Sequence, residues 1–350
     1  MGHNSFGHEF SFTTFGESHG KAIGVVIDGV QSGFPIDWDA VQAMMNRRRP
    51  GGNSLGTKRN ESDAVTVLSG IYQGKTTGAP IALLIPNNDQ HSSDYDELAH
   101  LYRPGHADYT LMQKWGIRDS RGGGRSSGRE TAARVAAGSI AKQILASYGI
   151  TLKAGTVQIG AIRAEKRDWK EADNELTCPD KEAAVKMLDV IEQARMELDS
   201  VGGVVECHAT GLPTGLGEPT FDKLQALLAH AMFSIGAVRG FEIGEGFHAA
   251  EMRGSEDNDQ MEPSGFLSNH AGGILGGISN GQELVFRVAF KPTSSISRHQ
   301  KTVDEQGNPV DLVVKGRHDP CIVPRAVVVV EAMTAAVLLD AWYMDKAHRT

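Results

Sequence analysis

The sequence predicts an α+β fold: a layered β-α-β sandwich with antiparallel sheets around central helices and an active site built from loops. Strand-like and helix-like segments mix along the 350 residues without the regular alternation that builds a parallel sheet. The 41 glycines indicate many turns and close backbone approaches. No low-complexity linker divides the chain. We therefore expect residues 1–350 to form one domain.

The N-terminal elements are predicted from alternating apolar residues and from turn residues. Strands are predicted over residues 10–15, 22–27, 64–68 and 81–85. The turn Gly16–Gly20 joins the first two. Asp37 can cap a helix that ends at Arg47–Arg49, where positive charge suits the helix dipole. Residues 50–63 are predicted to be a mobile loop.

Three further helices are expected. Ser127 and Glu130 form a capping-box pattern at the start of a helix over 127–148, whose small residues permit close packing against a sheet. An apolar stripe predicts a second helix over 180–198, and the last helix is predicted over 326–345. Residues 70–76 resemble a P-loop but are one residue short, so a glycine turn is the simpler interpretation. No Rossmann nucleotide site is supported.

Composition excludes several classes of protein. The formal net charge of −8 argues against a general nucleic-acid binder. Cys178, Cys207 and Cys321 lack the spacing of a disulfide framework or a zinc site, so no metal is expected and a reducing cytoplasm is the natural compartment. The longest apolar run, 326–339, is interrupted by Glu331 and too short for a membrane span. The first residues lack a basic segment followed by an apolar one, so no secretion signal is expected.

Residues 118–134 are the most informative stretch, because five arginines surround a triple glycine directly before a predicted helix. Glycines let backbone N–H groups face a ligand, and arginine forks match phosphate or carboxylate oxygens. The stretch therefore indicates an anion site at a helix N-terminus. A solvated loop whose arginines pair with Asp119 and Glu130 explains the same letters and stays open.

Two histidines lie in similarly constrained loops. His19 follows Ser18 in the turn GESHG, and His106 lies in RPGHAD, where Asp108 is its simplest partner. Histidine titrates near neutrality, so proton transfer on an anionic substrate is plausible if these loops meet. The stretches KPTSS and GRHDPC add further polar loop residues.

Together the strings GESHG, RRRPG, RPGHADYT, RGGGRSSGRETAARVAAG, SNHAGGILGGISNG, KPTSS and GRHDPC resemble the chorismate synthase family. The resemblance runs from near the first residues to the last helix. It implies a 1,4-anti elimination of phosphate from 5-enolpyruvylshikimate-3-phosphate, giving chorismate with reduced FMN and no net redox change. A substrate carrying one phosphate and two carboxylates explains why an acidic protein concentrates arginines locally.

The resemblance also implies roles for individual residues. Substrate binding falls to Arg48, Arg49 and Arg129. FMN binding falls to Arg125, Ser126, Ser127, Gly236, Ala237, Gly276, Lys291, Pro292, Thr293, Ser294, Ser295 and Arg317. His19 would protonate the departing phosphate, and His106 would protonate or steady the reduced flavin. Asp319 would assist removal of the substrate's C6 hydrogen, with Ser18 and Ser127 in support.

Other expectations follow from the family. It implies a cytoplasmic homotetramer, with reduced FMN supplied by an external, NADPH-linked reductant. Loops 50–63, 87–102 and 297–315 are expected to order over the occupied site. One departure is that Gly52-Asn53-Ser54 stands where the family carries an arginine, with Lys58 and Arg59 following later. A flavin-dependent oxidoreductase and a phosphate-ligand or RNA-binding module remain the alternative functions; neither a nucleic acid nor a membrane is expected as a partner.

Overall fold

Two antiparallel five-stranded sheets form the outer layers of the fold in the computed structural model, which describes residues 3–51, 61–89, 98–314 and 319–348. The N-terminal strands are β1 (Ser5–Phe6), β2 (Ser11–Gly16), β3 (Ala22–Asp28), β4 (Thr66–Val67), β5 (Ile71–Tyr72), β6 (Lys75–Thr76) and β7 (Ile81–Pro86). The first sheet has the order β1-β2-β3-β7-β4. The glycine turn predicted in place of a P-loop is the β5–β6 hairpin.

The second sheet has the order β11-β16-β10-β8-β9. The later strands are β8 (Thr151–Ile159), β9 (Ile162–Arg163), β10 (Gly203–Thr210), β11 (Val238–Ile243), β12 (Met261–Glu262), β13 (Gly265–Phe266), β14 (Ile274–Leu275), β15 (Ile278–Ser279), β16 (Leu284–Phe290), β17 (Gln300–Val303) and β18 (Pro309–Leu312). The pairs β12–β13, β14–β15 and β17–β18 are separate hairpins. Residues 297–315, predicted to be a loop, therefore contain a hairpin as far as residue 312.

The described helices are α1 (Trp38–Arg48), α2 (Asp108–Trp115), α3 (Thr131–Ser147), α4 (Lys181–Met196), α5 (Leu224–Phe233), α6 (Gly254–Asp257) and α7 (Val323–His348). Helix α3 packs against β3 and β7 of the first sheet, α7 packs against β8 and β10 of the second, and α3 and α7 pack together. This arrangement confirms the predicted α+β class with helices at the centre.

The small residues of α3 allow close packing against helix α7 as well as against the predicted sheet. A Cβ added at Gly138 would lie 2.3 Å from the carbonyl oxygen of Ala332 in α7. Helix α7 is long and apolar enough to cross a bilayer, contrary to the estimate from residues 326–339, but 83% of its most apolar stretch is buried inside the fold. Because it packs between α3 and the second sheet, α7 is the core helix.

Local capping signals are largely reproduced. The Asp37 carboxylate accepts from the backbone N–H of Ala40 at 3.0 Å, and that of Asp180 accepts from Ala183 at 3.0 Å. The capping box predicted at Ser127 is only half formed. Ser127 accepts from the Arg129 N–H at 3.3 Å, but the Glu130 carboxylate bonds elsewhere, and a 3-10 turn precedes α3.

Candidate active site

The triple glycine of the arginine-rich loop lies directly against both predicted histidines. Gly122, Gly123 and Gly124 all have positive φ, at 68°, 100° and 53°. A Cβ at Gly122 would lie 2.6 Å from Cδ2 and Nε2 of His19, and one at Gly123 would lie 3.1 Å from Cε1 of His106. Only glycine fits here, since the backbone is left-handed and the imidazoles occupy the space of a side chain. The fold thus brings the GESHG turn and the RPGHAD loop together.

His106 is held by an ionised carboxylate. Its Nδ1 lies 2.9 Å from Oδ1 of Asp108, and Arg103 binds both carboxylate oxygens of Asp108 at 2.7 and 2.9 Å. Burial opposes ionisation of Asp108, but the hydrogen bonds from Arg103 and His106 outweigh it and hold the pKa of Asp108 well below its usual range. With Nδ1 held this way, Nε2 of His106 faces the glycine loop. The simple pairing with Asp108 and a role in the site are therefore compatible.

Arg48 and Arg129 meet in a buried cluster around Asp63. Arg48 donates from Nε at 2.9 Å and Nη2 at 2.5 Å to one carboxylate oxygen, and Arg129 donates from Nη1 to the other. Their relative exposures are 1% for Arg48, 4% for Arg129 and 0% for Asp63. Burial opposes ionisation of Asp63, but the two arginine charges hold its pKa below the usual value. Two guanidinium groups thus share one carboxylate.

This cluster retains positive charge. Burial and the charges of Arg325 and Arg129 outweigh Asp63 and lower the pKa of Arg48 to about 10. Arg325 in turn donates from Nε to the backbone carbonyl of Arg48 at 3.0 Å and from Nη1 to the Asp319 carboxylate at 2.5 Å. Asp319 is therefore connected to the arginine cluster through a single side chain.

The remaining arginines of the glycine loop differ from one another. Arg121 forms the predicted solvent-side pair with Asp119, at 2.8 and 3.0 Å. Arg125 instead reaches β2, where it donates to Oγ1 of Thr14 at 2.7 Å. Within the described ranges, Nε of Arg49 is a buried donor without a hydrogen-bond partner, which is suited to an anionic acceptor.

Several predicted flavin positions lie beside this loop. The backbone N–H of Lys291 donates to the carbonyl of Ala237 at 2.9 Å, and its Nζ donates to the carbonyl of Gly105 at 3.2 Å. A Cβ at Gly105 would lie 3.3 Å from Cβ of Ser294. Ser126 donates to the Gly123 carbonyl at 2.7 Å. Two segments therefore lie against the His106 loop: the one with Gly236 and Ala237, and the one from Lys291 to Ser295. The second segment also contacts Asp319, because the Thr293 hydroxyl donates to the Asp319 carbonyl at 2.9 Å.

One predicted flavin position, Gly276, lies away from this group. The carbonyl of Gly277 accepts from Leu224 at the start of α5, so Gly276 lies at the opposite end of that helix from Ala237. The ten-residue helix separates them by about 15 Å. Arg317, Lys58 and Arg59 lie outside the described residues, as do residues 52–60, 90–97 and 315 of the predicted loops.

Sequence reasoning missed four residues that complete the site. Asp63 and Arg103 organise the buried ion pairs, Glu17 lies against Gly124, and Arg239 lies close enough to Lys291 for its charge to act there. Arg103 and Glu17 stand inside the strings that carry the family resemblance. Asp63 and Arg239 stand outside them, and no spacing rule relates either to its partner.

The fold and this site define an enzyme class: an α+β protein whose loops place acid–base side chains beside a buried, positively charged arginine cluster suited to a small polyanion. A family model of chorismate synthase matches residues 10–343. The chain belongs to the chorismate synthase family, the carbon–oxygen lyases that release phosphate to form chorismate in aromatic biosynthesis.

Chorismate synthases from other organisms align with this chain over nearly their full length. The chain is 54% identical over 357 residues to the chorismate synthase of Porphyromonas gingivalis, covering 99% of this chain and 97% of the relative. It is 51% identical to that of Syntrophus aciditrophicus, covering 99% of each. A crystal structure of chorismate synthase superposes with a TM-score of 0.76 at 32% identity, covering 98% of this chain and 94% of the other.

Proposed function

We propose that this enzyme uses His19 as the acid that protonates the phosphate leaving 5-enolpyruvylshikimate-3-phosphate. The observation that carries the proposal is the contact of His19 and His106 with consecutive glycines of the arginine-rich loop. His19 is only 6% exposed, so it works away from bulk water. A proton delivered at the bridging oxygen neutralises the charge that develops as the C–O bond breaks.

The buried arginines supply the complementary charge. Arg48 and Arg129 share a single carboxylate in Asp63, and Arg49 carries a buried donor without a partner among the described residues. A phosphate and two carboxylates on the substrate would compensate that positive charge. These arginines bind and orient the ring, which holds the leaving group near His19.

The flavin positions fit reduced FMN. In the described part of the chain, Nζ of Lys291 bonds only to carbonyl oxygens and forms no ion pair. Burial and the charge of Arg239 lower the pKa of Lys291, so an anionic group beside these cations would be stabilised. When bound, reduced FMN supplies an electron-rich ring that lends electron density while phosphate departs.

The protein groups around that cofactor have distinct tasks. The residues proposed to hold it are Arg125, Ser126, Ser127, Gly236, Ala237, Lys291, Pro292, Thr293, Ser294 and Ser295. His106 holds a proton at Nε2 on the side facing the glycine loop, while Asp108 orients the ring. Asp319, which forms a salt bridge with Arg325 at 2.5 Å, assists removal of the hydrogen from C6 of the substrate.

The proposal includes an assembly and a source of reducing equivalents. We expect a homotetramer in the cytoplasm, with FMN reduced by a separate, NADPH-linked system. An exposed apolar surface on the first sheet supports association: Phe15 and Val26 are 42% and 37% exposed on its outer face, beside Leu84. The three buried free thiols suit a reducing compartment. Sedimentation velocity tests the assembly, because a monomer at micromolar concentration contradicts it.

The test of the chemistry is phosphate release from the substrate under nitrogen with photoreduced FMN. His19→Ala and His106→Ala are compared with His248→Ala, an exposed histidine whose partner is Glu251. We expect at least a ~100-fold loss for His19→Ala and no loss for His248→Ala. One phosphate per chorismate without consumption of reductant separates this lyase from a flavin oxidoreductase. Full activity in both site variants contradicts the proposed proton donors.

A further inference from the structure

The three glycines of the loop lie against three titratable side chains, and the proposed function uses only two of them. A Cβ at Gly124 would lie 2.8 Å from Oε2 of Glu17 and 3.7 Å from its Cδ. Glu17 thus bears the same relation to Gly124 that His19 bears to Gly122. It precedes His19 by two residues in one turn, so the two side chains share a backbone frame.

That turn is held in place by the Glu17 backbone. Its carbonyl accepts from the N–H of Gly20 at 3.0 Å and from Nδ2 of Asn87 at 3.0 Å. Asn87 also accepts from Nε of Arg129 at 2.8 Å, which ties the turn to the buried arginine cluster. The backbone from which the Glu17 side chain extends is therefore fixed beside the glycine loop.

The charged groups facing Glu17 come from the glycine loop. Asp119 lies beside it, with Cβ 3.4 Å from the same Gly124 position, and Arg121 and Arg125 lie on the loop as well. Burial raises the pKa of Glu17, and the charge of Asp119 adds to this, while Arg125 and Arg121 oppose it. Asp119 is ionised and paired to Arg121, and it interacts electrostatically with both Glu17 and His19.

We propose that Glu17 is a positioning residue for His19: its carboxylate charge holds the imidazole in the protonated form that the departing phosphate requires. The inference rests on the proposed role of His19 as the acid. Glu17 moves no atom of the substrate itself. It acts on His19 through charge, as does Asp119, whose charge also interacts with His19.

The experiment compares Glu17→Gln, which removes the charge at constant shape, with Glu17→Asp, which keeps it. Glu182→Gln is the control, because Glu182 is exposed and pairs only with Lys166 in the described structure. Titration of the His19 ring is followed by NMR on the full-length protein with histidine labelled in the ring, the signal being assigned by its loss in His19→Ala. The pH profile of phosphate release is recorded on the same proteins.

We expect Glu17→Gln to lower the pKa of His19 by ~0.5 to 1 unit. Because activity needs protonated His19, the alkaline limb of the pH–rate profile shifts to lower pH by the same amount. Glu17→Asp recovers most of both shifts, and Glu182→Gln changes neither. An unchanged His19 titration in both Glu17 variants overturns the inference. A shifted titration with an unshifted rate profile supports the coupling and instead refutes His19 as the acid.

Discussion

The contact between Gly122 and His19 allows a sharp test of how the active site is built. Substituting Gly122→Ala adds one methyl group 2.6 Å from Cδ2 and Nε2 of the His19 ring and 3.1 Å from Oγ of Ser18. Non-bonded heavy atoms pack at about 3.5 Å, so the ring must move by about 1 Å. The left-handed backbone adds a separate strain of ~1–2 kcal/mol.

Two control variants separate these effects. Gly116 has almost the same backbone angle, with φ of 70° against 68°, but its added Cβ would meet nothing within 4 Å. Gly128 has an ordinary φ and is equally open. Gly116→Ala therefore reports backbone strain alone, and Gly128→Ala reports the addition of a methyl group to the loop region without either effect.

We expect Gly122→Ala and Gly116→Ala to lose similar stability in urea unfolding, ~1–2 kcal/mol. Only Gly122→Ala should lose phosphate release, by about 100-fold, because a 1 Å displacement of a catalytic group has an effect of that size. Anaerobic single-turnover assays with photoreduced FMN measure it. If Gly122→Ala is as active as Gly116→Ala, the contact does not position His19 and the reasoning fails.

Three further predictions concern buried carboxylates. Asp63→Asn should cost ~3–5 kcal/mol in urea unfolding at neutral pH, because it leaves two buried guanidinium groups without a counterion. The folded pKa of Asp63 is lowered, so the wild type loses this stabilisation as pH falls below about 4, whereas the variant should show no such loss. Asp340 accepts hydrogen bonds from the backbone N–H groups of His8, Glu9 and Phe10 at 2.8 to 3.1 Å. Asp340→Ala should therefore lower the free energy of unfolding by about 3 kcal/mol, and Asp340→Asn should lower it by less. Equal losses of stability in the two variants contradict this. Asp108→Asn should reduce phosphate release by ~100-fold while FMN affinity, measured by fluorescence, changes less; an unchanged rate shows that the carboxylate does not orient His106.

The elements that sequence predicts well are those stabilised by their own neighbours. Asp37 and Asp180 cap helices because the N–H groups they satisfy lie two or three residues away. The strands over 22–27 and 81–85 are predicted correctly because the alternation of residue types along a strand indicates which of its faces is buried. Glu130 shows the limit of this reasoning. Its carboxylate accepts from Thr14 at 2.8 Å, a tertiary contact that displaces the predicted capping box.

The candidate site divides in the same way. The family strings identify His19, His106 and Arg129 by number, but they do not show that the first two rest on adjacent glycines. Asp63 belongs to no sequence motif. A carboxylate in a polar loop is expected to be solvated, and only the fold shows that Asp63 is buried. Gly276 lies within a family string and yet at the far end of α5 from Ala237, because the turn between β14 and β15 contacts the start of that helix, where the Gly277 carbonyl accepts from Leu224.

The amino-acid sequence alone determined the α+β class, the starts of helices α1 and α4 and the chorismate synthase resemblance, since periodicity, capping and motif order depend on residues close together in the chain. Tertiary structure alone decided which charges pair, which side chains lie against the triple glycine, and how burial and charge pairing together shift the pKa of Glu17, Asp63 and Asp108. The reason is physical: desolvation and charge pairing depend on distances in space between loops that the sheets and helices bring together.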